Sequence, residues 1–431
     1  MRVALLVFLV GAGMLAACRR ETPRATGPLP HEIYVWQRAH RPALSDALTA
    51  HARAFESVIV LAAEVSWRKS SSATTANPAA IAATAPDITR VAINWKPLAL
   101  SARRVGLAIR VNAFSGPFSA DDATSRALVA LSQQLLADAT AHGVTITELQ
   151  LDFDAATSKL AGYREWLRAL RPALAPVPLV FTALPTWLQS DDFRPLAEAA
   201  DSFVLQVHSL ERPASRDAAF LLCDPIVARR AIERAARVGV PFRVALPTYS
   251  YLFAFDAAGR FAGLSAEGPR PQWDASFTLR EARADPASLA QLVAELQASR
   301  PAALTGLLWY RLPIATDTLN WSWPTLAAVM QGRAPRAQLE VSAETRDGLS
   351  RFTVRNTGDD DLIAPLRLAV RWSDARLIAA DGQNGFAISD ETPDSLQLTS
   401  TATRLPPQSA LRTGWLRLSS AHASPHVSLA P

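Results

Sequence analysis

Cysteine is nearly absent from this chain, with Cys18 and Cys223 its only two in 431 residues. Two thiols cannot build a disulfide framework, and no histidine or second cysteine stands near Cys223 at ligand spacing. The seven histidines are mostly dispersed, so no metal and no other cofactor is expected. Charge of one sign is also lacking. Basic residues number 44 against 39 acidic ones, are nearly all arginine, and are scattered along the chain. No basic stripe with interleaved aromatics occurs, which argues against nucleic acid as a partner. There is no glycine-rich phosphate loop and no Gly-x-Ser-x-Gly elbow. The apolar run Val3–Met14 is too short for a comfortable membrane span.

That short run has a meaning of its own. It follows Arg2 and ends in Leu15-Ala16-Ala17-Cys18, which resembles the lipobox of bacterial lipoproteins. The resemblance implies cleavage before Cys18 and acylation of its thiol, with membrane attachment through that anchor. The competing reading is an ordinary secretory signal with an unrelated cysteine. Arg19 stands where an inner-membrane retention signal would place Asp. The expected location is therefore the cell envelope, at the outer membrane and facing the periplasm. Residues 1–18 read as signal peptide and lipobox, and 19–31, rich in Pro, Thr and Arg, as a tether. Cys223 then reads as a buried structural thiol.

Strand and helix patterns alternate from there. Glu32–Ala39, Ser57–Ala63, Val105–Asn112, Ile146–Asp154, Leu179–Leu184, Phe203–His208, Pro241–Pro247 and Thr305–Leu312 read as strands. Helices are predicted over Ala43–Ala54, Asp121–His142, Thr157–Leu170 (with Pro172 as a stop), Pro225–Val238, Pro286–Ser299 and Trp323–Met330. This is the α/β pattern of a (β/α)8 TIM barrel, placed over residues 32–335. An open doubly wound sheet is the alternative. Against it, the first strand carries bulky Tyr34 and Trp36 where a phosphate turn would need room. Two excursions exceed a minimal barrel. Ser66–Ser101 contains low-complexity Ser70–Ala85 and a candidate extra strand at Arg90–Leu98. Tyr249–Arg280 contains a hairpin turning at Asp256-Ala257-Ala258-Gly259. Residues 336–431 change character: short alternating runs at Gln338–Ser342, Ser350–Arg355, Leu366–Trp372, Ser395–Thr399 and Thr413–Leu418 predict a small antiparallel β-sandwich.

The stretch Ile146–Asp154 organises the functional reading. Leu149, Leu151 and Phe153 fall on one face, and Glu148, Gln150, Asp152 and Asp154 on the other. In a barrel the helices cover the apolar face, and the polar face looks into the lumen. Asp152 and Asp154 then stand at the carboxyl end, where barrel enzymes keep their chemistry. Neighbouring strands add Arg110, Thr182, Gln206, His208, Tyr249 and Trp309, with Arg311 beside Trp309 and Tyr310 on the opposite face. Polar and aromatic groups converging on one mouth suit a saccharide, because rings stack on aromatic faces and hydroxyls take hydrogen bonds. Glu64 and Glu211 are lesser mouth carboxylates. The competing reading for Asp152 and Asp154 is structural, as caps of the next helix or as partners of Arg110 or Arg311.

These residues resemble those of the chitinase-like glycoside hydrolase family 18. That family carries Asp-x-x-Asp-x-Asp-x-Glu on strand four. Thr147, Gln150, Asp152 and Asp154 fall on its four specified positions in turn. The resemblance implies Asp154 as general acid and Asp152 as the carboxylate that orients a substrate acetamido group. It sets Gln206-Val207-His208 against the family's strand-six tyrosine motif, and Trp309 against its strand-eight tryptophan. Two motif positions differ, and Asp replaces the terminal Glu. The chain looks closer still to an uncharacterised family of bacterial secreted or lipid-anchored proteins, classed as a domain of unknown function. Three functions follow as expectations. The first is a glycosidase-like enzyme acting on an amino-sugar polysaccharide. The second is a non-catalytic carbohydrate-binding barrel, holding a glycan with Trp309, His208 and Tyr249; the residues expected to contact a polysaccharide or oligosaccharide are Gln150, Gln206, His208, Tyr249, Trp309 and Arg110. The third is an envelope scaffold protein.

Overall fold

The computed structural model describes residues 23–67, 86–114, 116–209, 212–266 and 272–430. Eight parallel strands form a ring: β1 (His31–Val35), β2 (Ser57–Ser66), β3 (Val105–Val111), β4 (Ile146–Phe153), β5 (Leu179–Ala183), β6 (Ser202–Gln206), β7 (Phe242–Pro247) and β8 (Leu304–Tyr310). Strand β1 pairs with both β2 and β8, so the sheet has no free edge around the ring. A helix follows each strand on the outside, from Pro42–His51 after β1 to Trp323–Met330 after β8. The (β/α)8 reading is met.

The alternation of β4 shows how sequence sets the layers. Leu149, Leu151 and Phe153 point outward into the main core, where Tyr163 and Trp166 of helix Leu160–Leu174 pack on them. The hydroxyl of Tyr163 donates to the Leu151 carbonyl at 2.9 Å, so a buried phenol is satisfied. Aspartates start several outer helices. Asp122, Asp224 and Asp285 accept hydrogen bonds from first-turn amides. Pro172 does not stop its helix as predicted. It lies inside the last turn, and burial of Leu170 and Leu174 offsets the single backbone bond it removes.

The extra strand after β2 is shorter and earlier than expected. Asp87–Arg90 pairs antiparallel with Ala63–Ser66, and Trp95–Ser101 is helical, capped by Asn94. The low-complexity stretch Ser70–Ala85 lies outside the described residues, as does Glu211. After β7 the predicted hairpin exists within a three-stranded sheet. Its central strand Ser250–Phe255 pairs with Phe261–Ser265 on one side and Thr278–Arg283 on the other. The turn needs Gly259, whose φ of +74° is the left-handed region.

All five runs predicted beyond residue 336 are strands. Two four-stranded antiparallel sheets share one core of Phe352, Val354, Leu368, Val370, Leu398 and Leu416. Leu377–Gly382, Ala387–Ser389 and His426–Leu429 complete the sandwich. The described part of the expected tether is docked. Arg24–Ala25 pairs with Arg300–Pro301, Gly27 N donates to the Gln297 carbonyl at 2.8 Å, and Leu29 is buried. Cys18 lies outside the described residues. Cys223 packs against the main core, and burial pushes its thiol up to about 12.

Candidate functional site

The barrel lumen is filled in layers, because inward residues of neighbouring strands fall at matched heights. The lowest layer is ionic. Arg243 of β7 donates to Glu148 of β4 through both terminal nitrogens, at 3.0 and 2.8 Å, and also to Glu32 of β1. Gly106 makes room for it: a Cβ there would sit 2.8 Å from Glu148 Cγ. Two acids thus share one guanidinium in a buried layer. Burial, set against the Arg243 charge, pushes Glu32 up to about 7.

A carboxyl raised on folding binds its proton more tightly in the native state. Its stabilising contribution is complete below the ordinary value of 4.5 and is lost as pH rises through about 7. The unfolding temperature of the wild type should therefore fall between pH 4.5 and 7.5. Glu32→Gln should flatten that slope, read by circular dichroism melts across the range. An unchanged slope in the variant would refute the assignment.

Above this layer Tyr34 donates to the side-chain oxygen of Gln150, whose amide donates to Glu148 at 2.7 Å. Gln150 is fully buried and spends its polar atoms here. It supports the floor and does not face the pocket, which corrects its expected role in binding.

The pocket opens above, at the carboxyl ends of the strands, with a volume of about 300 Å³. One wall is acidic. Arg110 of β3 donates to Asp152 at 2.6 Å through one terminal nitrogen and to Asp154 at 2.7 Å through the other. Thr182 of β5 donates to the second oxygen of Asp152 at 2.6 Å. Burial, then the charge of Asp152, raises the Asp154 carboxyl, and Arg110 pulls it back. Asp152 holds Arg110 firmly in its charged form. The structural reading of these carboxylates as partners of Arg110 is thus realised, and both still face the cavity.

The remaining wall is aromatic and hydroxylic. Tyr34, Trp36 and Tyr310 pack edge-on or tilted with ring centroids 5.0–5.9 Å apart. His208 Nδ1 lies 3.2 Å from Tyr249 Oη, which is 3.5 Å from Tyr251 Oη, and Tyr251 meets Ser209. Burial lowers His208 to about 3 and raises Tyr249 well above its ordinary value. Both are neutral at physiological pH and act as hydrogen-bonding groups. Gln206 completes this side, its amide 3.3 Å from the His208 carbonyl.

Asp152, Asp154, Arg110, Gln206, His208 and Tyr249 are thus brought together as the sequence predicts. Trp309 is not among them. Its indole points outward, donates to His31 Nδ1 at 3.0 Å and packs near Trp321. Tyr310 takes the pocket position instead. The run Gly306-Leu307-Leu308-Trp309-Tyr310 is apolar on both faces, so its pattern carries no parity signal. A register shift against β7 between Leu304 and Gly306 removes the remaining clue. Arg311 is buried against Asp317 and donates to the Ala266 carbonyl at 2.7 Å. Glu64 sits at the rim in a two-bond pair with Arg38, at 2.7 and 2.9 Å, and it is Arg38 that lines the pocket. Tyr34, Trp36 and Tyr251 were missed as pocket residues. For Tyr34 and Trp36 the signal was the spacing of two that places them with Glu32 on one strand face.

A family model described as a domain of unknown function, DUF3142, matches residues 103–315. This meets the expected likeness to an uncharacterised family. No curated protein sequence matches the chain. Among solved structures, the Bacillus megaterium spore cortex-lytic enzyme SleL is similar at 13% identity over 72% of this chain and 75% of its own, with a TM-score of 0.47. A chitinase from Chromobacterium violaceum is 17% identical over 72% of this chain and all of its own, with a TM-score of 0.46. Chitinase ChiA74 from Bacillus thuringiensis is 11% identical over 93% of this chain, with a TM-score of 0.41.

Proposed function

We propose that this chain is a lipid-anchored envelope protein whose barrel binds one ring of an amino-sugar polysaccharide and hydrolyses the adjoining glycosidic bond. The observation that carries this reading is the pocket itself: two unlike carboxylates on one wall face a cluster of edge-on and tilted aromatic rings with hydroxyl groups on the other. Asp152, held by Thr182 and Arg110, is the fixed positioning group. Asp154, raised by burial and by Asp152, is the proton carrier. Asp154 delivers its proton to the glycosidic oxygen as the bond to the anomeric carbon breaks. Asp152 orients the acetamido group that closes on that carbon. Water then attacks that carbon, breaking its bond to the acetamido oxygen, and gives one of its own protons to the Asp154 carboxylate. Acylation of Cys18 places the protein at the outer membrane, facing the periplasm.

Arg110 favours a second reading. It grips both carboxylates at once and occupies their hydrogen-bonding atoms, which suits a barrel that binds saccharides without cutting them. The two readings separate in one assay. Protein starting at Arg19 is incubated with amino-sugar and neutral oligosaccharides, beside Asp154→Asn. Cleavage by the wild type alone supports hydrolysis. Equal binding by both with no product supports a binding barrel. Absence of binding by either would overturn the site.

Arg110 also sets a pH expectation. Its charge lowers the Asp154 carboxyl, so Arg110→Met should raise it. Activity that needs protonated Asp154 is lost as pH rises through that value. The alkaline limb of the pH–rate profile should therefore move upward in the variant. A limb that stays in place would show that Asp154 is not the titrating acid.

A further inference from the structure

We infer that the C-terminal sandwich is a positioning element for the pocket and acts through its aspartate turn, Asn356–Asp361. The inference rests on reading the pocket as the ligand site. The turn follows strand Leu349–Asn356 and is braced from within. Asn356 donates to the Asp360 carbonyl at 2.7 Å and to the Leu405 carbonyl at 3.0 Å, and accepts from Gly358 N at 3.0 Å. A Cβ at Gly358 would fall 2.2 Å from the Arg336 carbonyl oxygen, so only glycine allows this approach.

Its three aspartates all reach the barrel side of the junction. Asp359 pairs with Arg333 at 2.5 Å, and its carbonyl accepts from Thr325 of the last barrel helix at 2.8 Å. Asp360 pairs with Arg283 at 2.9 Å. Asp361, its side chain only 3% exposed, lies 3.5 Å from Arg283 and 3.0 Å from Arg404, and Arg404 reaches Glu281 at 3.6 Å. Arg283 and Glu281 belong to the edge strand Thr278–Arg283 of the sheet inserted after β7.

That edge strand holds the pocket wall. Arg283 pairs in register with Ser250, and Glu281 with Leu252. Ala284 N donates to the Tyr249 carbonyl at 3.0 Å, and the Ala284 carbonyl accepts from Trp321 Nε1 at 3.0 Å. Tyr249 bridges Asn320 on its other side. The sandwich thus grips a residue one position from the backbone that fixes Tyr249, and the same strand pair sets Tyr251. Removing one side of a buried charge cluster frees the other, and local opening follows where the cluster was the clasp.

The test uses the full chain with Asp360→Asn/Asp361→Asn, which keeps shape and removes charge. Exposed Asp347→Asn is the control. Amide hydrogen exchange should quicken by at least about 10-fold over Tyr249–Leu252 and Ala284, and stay unchanged in Leu349–Asn356 and in β3–β4. Arg283→Met should reproduce this pattern, and Arg283→Lys should restore most of the protection. Affinity for triacetylchitotriose, the probe, should weaken about 10-fold in the double variant and not in the control. Unchanged exchange at Tyr249–Leu252, or equally faster exchange throughout the chain, would overturn the inference. Exchange is read without ligand. Failure of the probe to bind the wild type would therefore count against the pocket's assignment and leave the exchange result standing.

Discussion

Asp154→Asn should lower turnover of an amino-sugar oligosaccharide by roughly 10²–10⁴-fold, with affinity changed by no more than about threefold. The amide keeps the size of the carboxyl and can still accept from Arg110, so the pocket keeps its shape. It cannot deliver a proton to a leaving oxygen. Asp154 is also the more exposed of the two, with 42% of its side chain open to solvent against 6% for Asp152. The substitution therefore leaves no buried group without a partner. Initial rates by product chromatography, with binding by calorimetry, separate the two effects. A drop in affinity with kcat preserved would make Asp154 a binding residue only.

Arg243→Met should cost about 3–5 kcal/mol of stability, since it strands two carboxylates in the lumen. Glu32 and Glu148 are both buried, and Arg243 is their shared cation. Methionine fills most of the volume, so the loss is electrostatic and should be partly repaired by adding Glu148→Gln and Glu32→Gln. Urea unfolding of the single and triple variants measures this. A single variant within about 1 kcal/mol of the wild type would show that the layer tolerates its charges through water or protonation.

The strand order and both carboxylates were legible because β4 alternates cleanly, and a period of two fixes which face each residue takes. Arg110 and Thr182 were legible for the same reason. Legibility ended where both faces are apolar. Strand β8 could not reveal that Tyr310, not Trp309, looks inward, and a bulge shifts its register as well. Gln150 was correctly placed on the inner face, but height along the lumen is a property of the neighbours. The Tyr34 hydroxyl and Glu148 of the layer beneath claim its amide group. The grip of Arg110 on both carboxylates was one alternative among several until strand stagger set Arg110 opposite Asp152. The clasp between Asp361 and Arg283 joins residues 78 positions apart and has no local pattern at all.

The docking of Arg24–Ala25 beside Arg300–Pro301 has a consequence for orientation. That pairing lies at the amino ends of the barrel strands, and the pocket opens at their carboxyl ends. From Cys18 to Pro23 is five residues, a reach of at most about 17 Å. If Cys18 is acylated, as proposed, that short reach would set the amino end of the barrel toward the bilayer and its mouth away from it. Eight residues of β4, tilted, add on the order of 20–25 Å. The pocket would then work within about 40 Å of the bilayer. Glycan strands held off the membrane would come within range, and headgroup sugars at the bilayer surface would lie behind it.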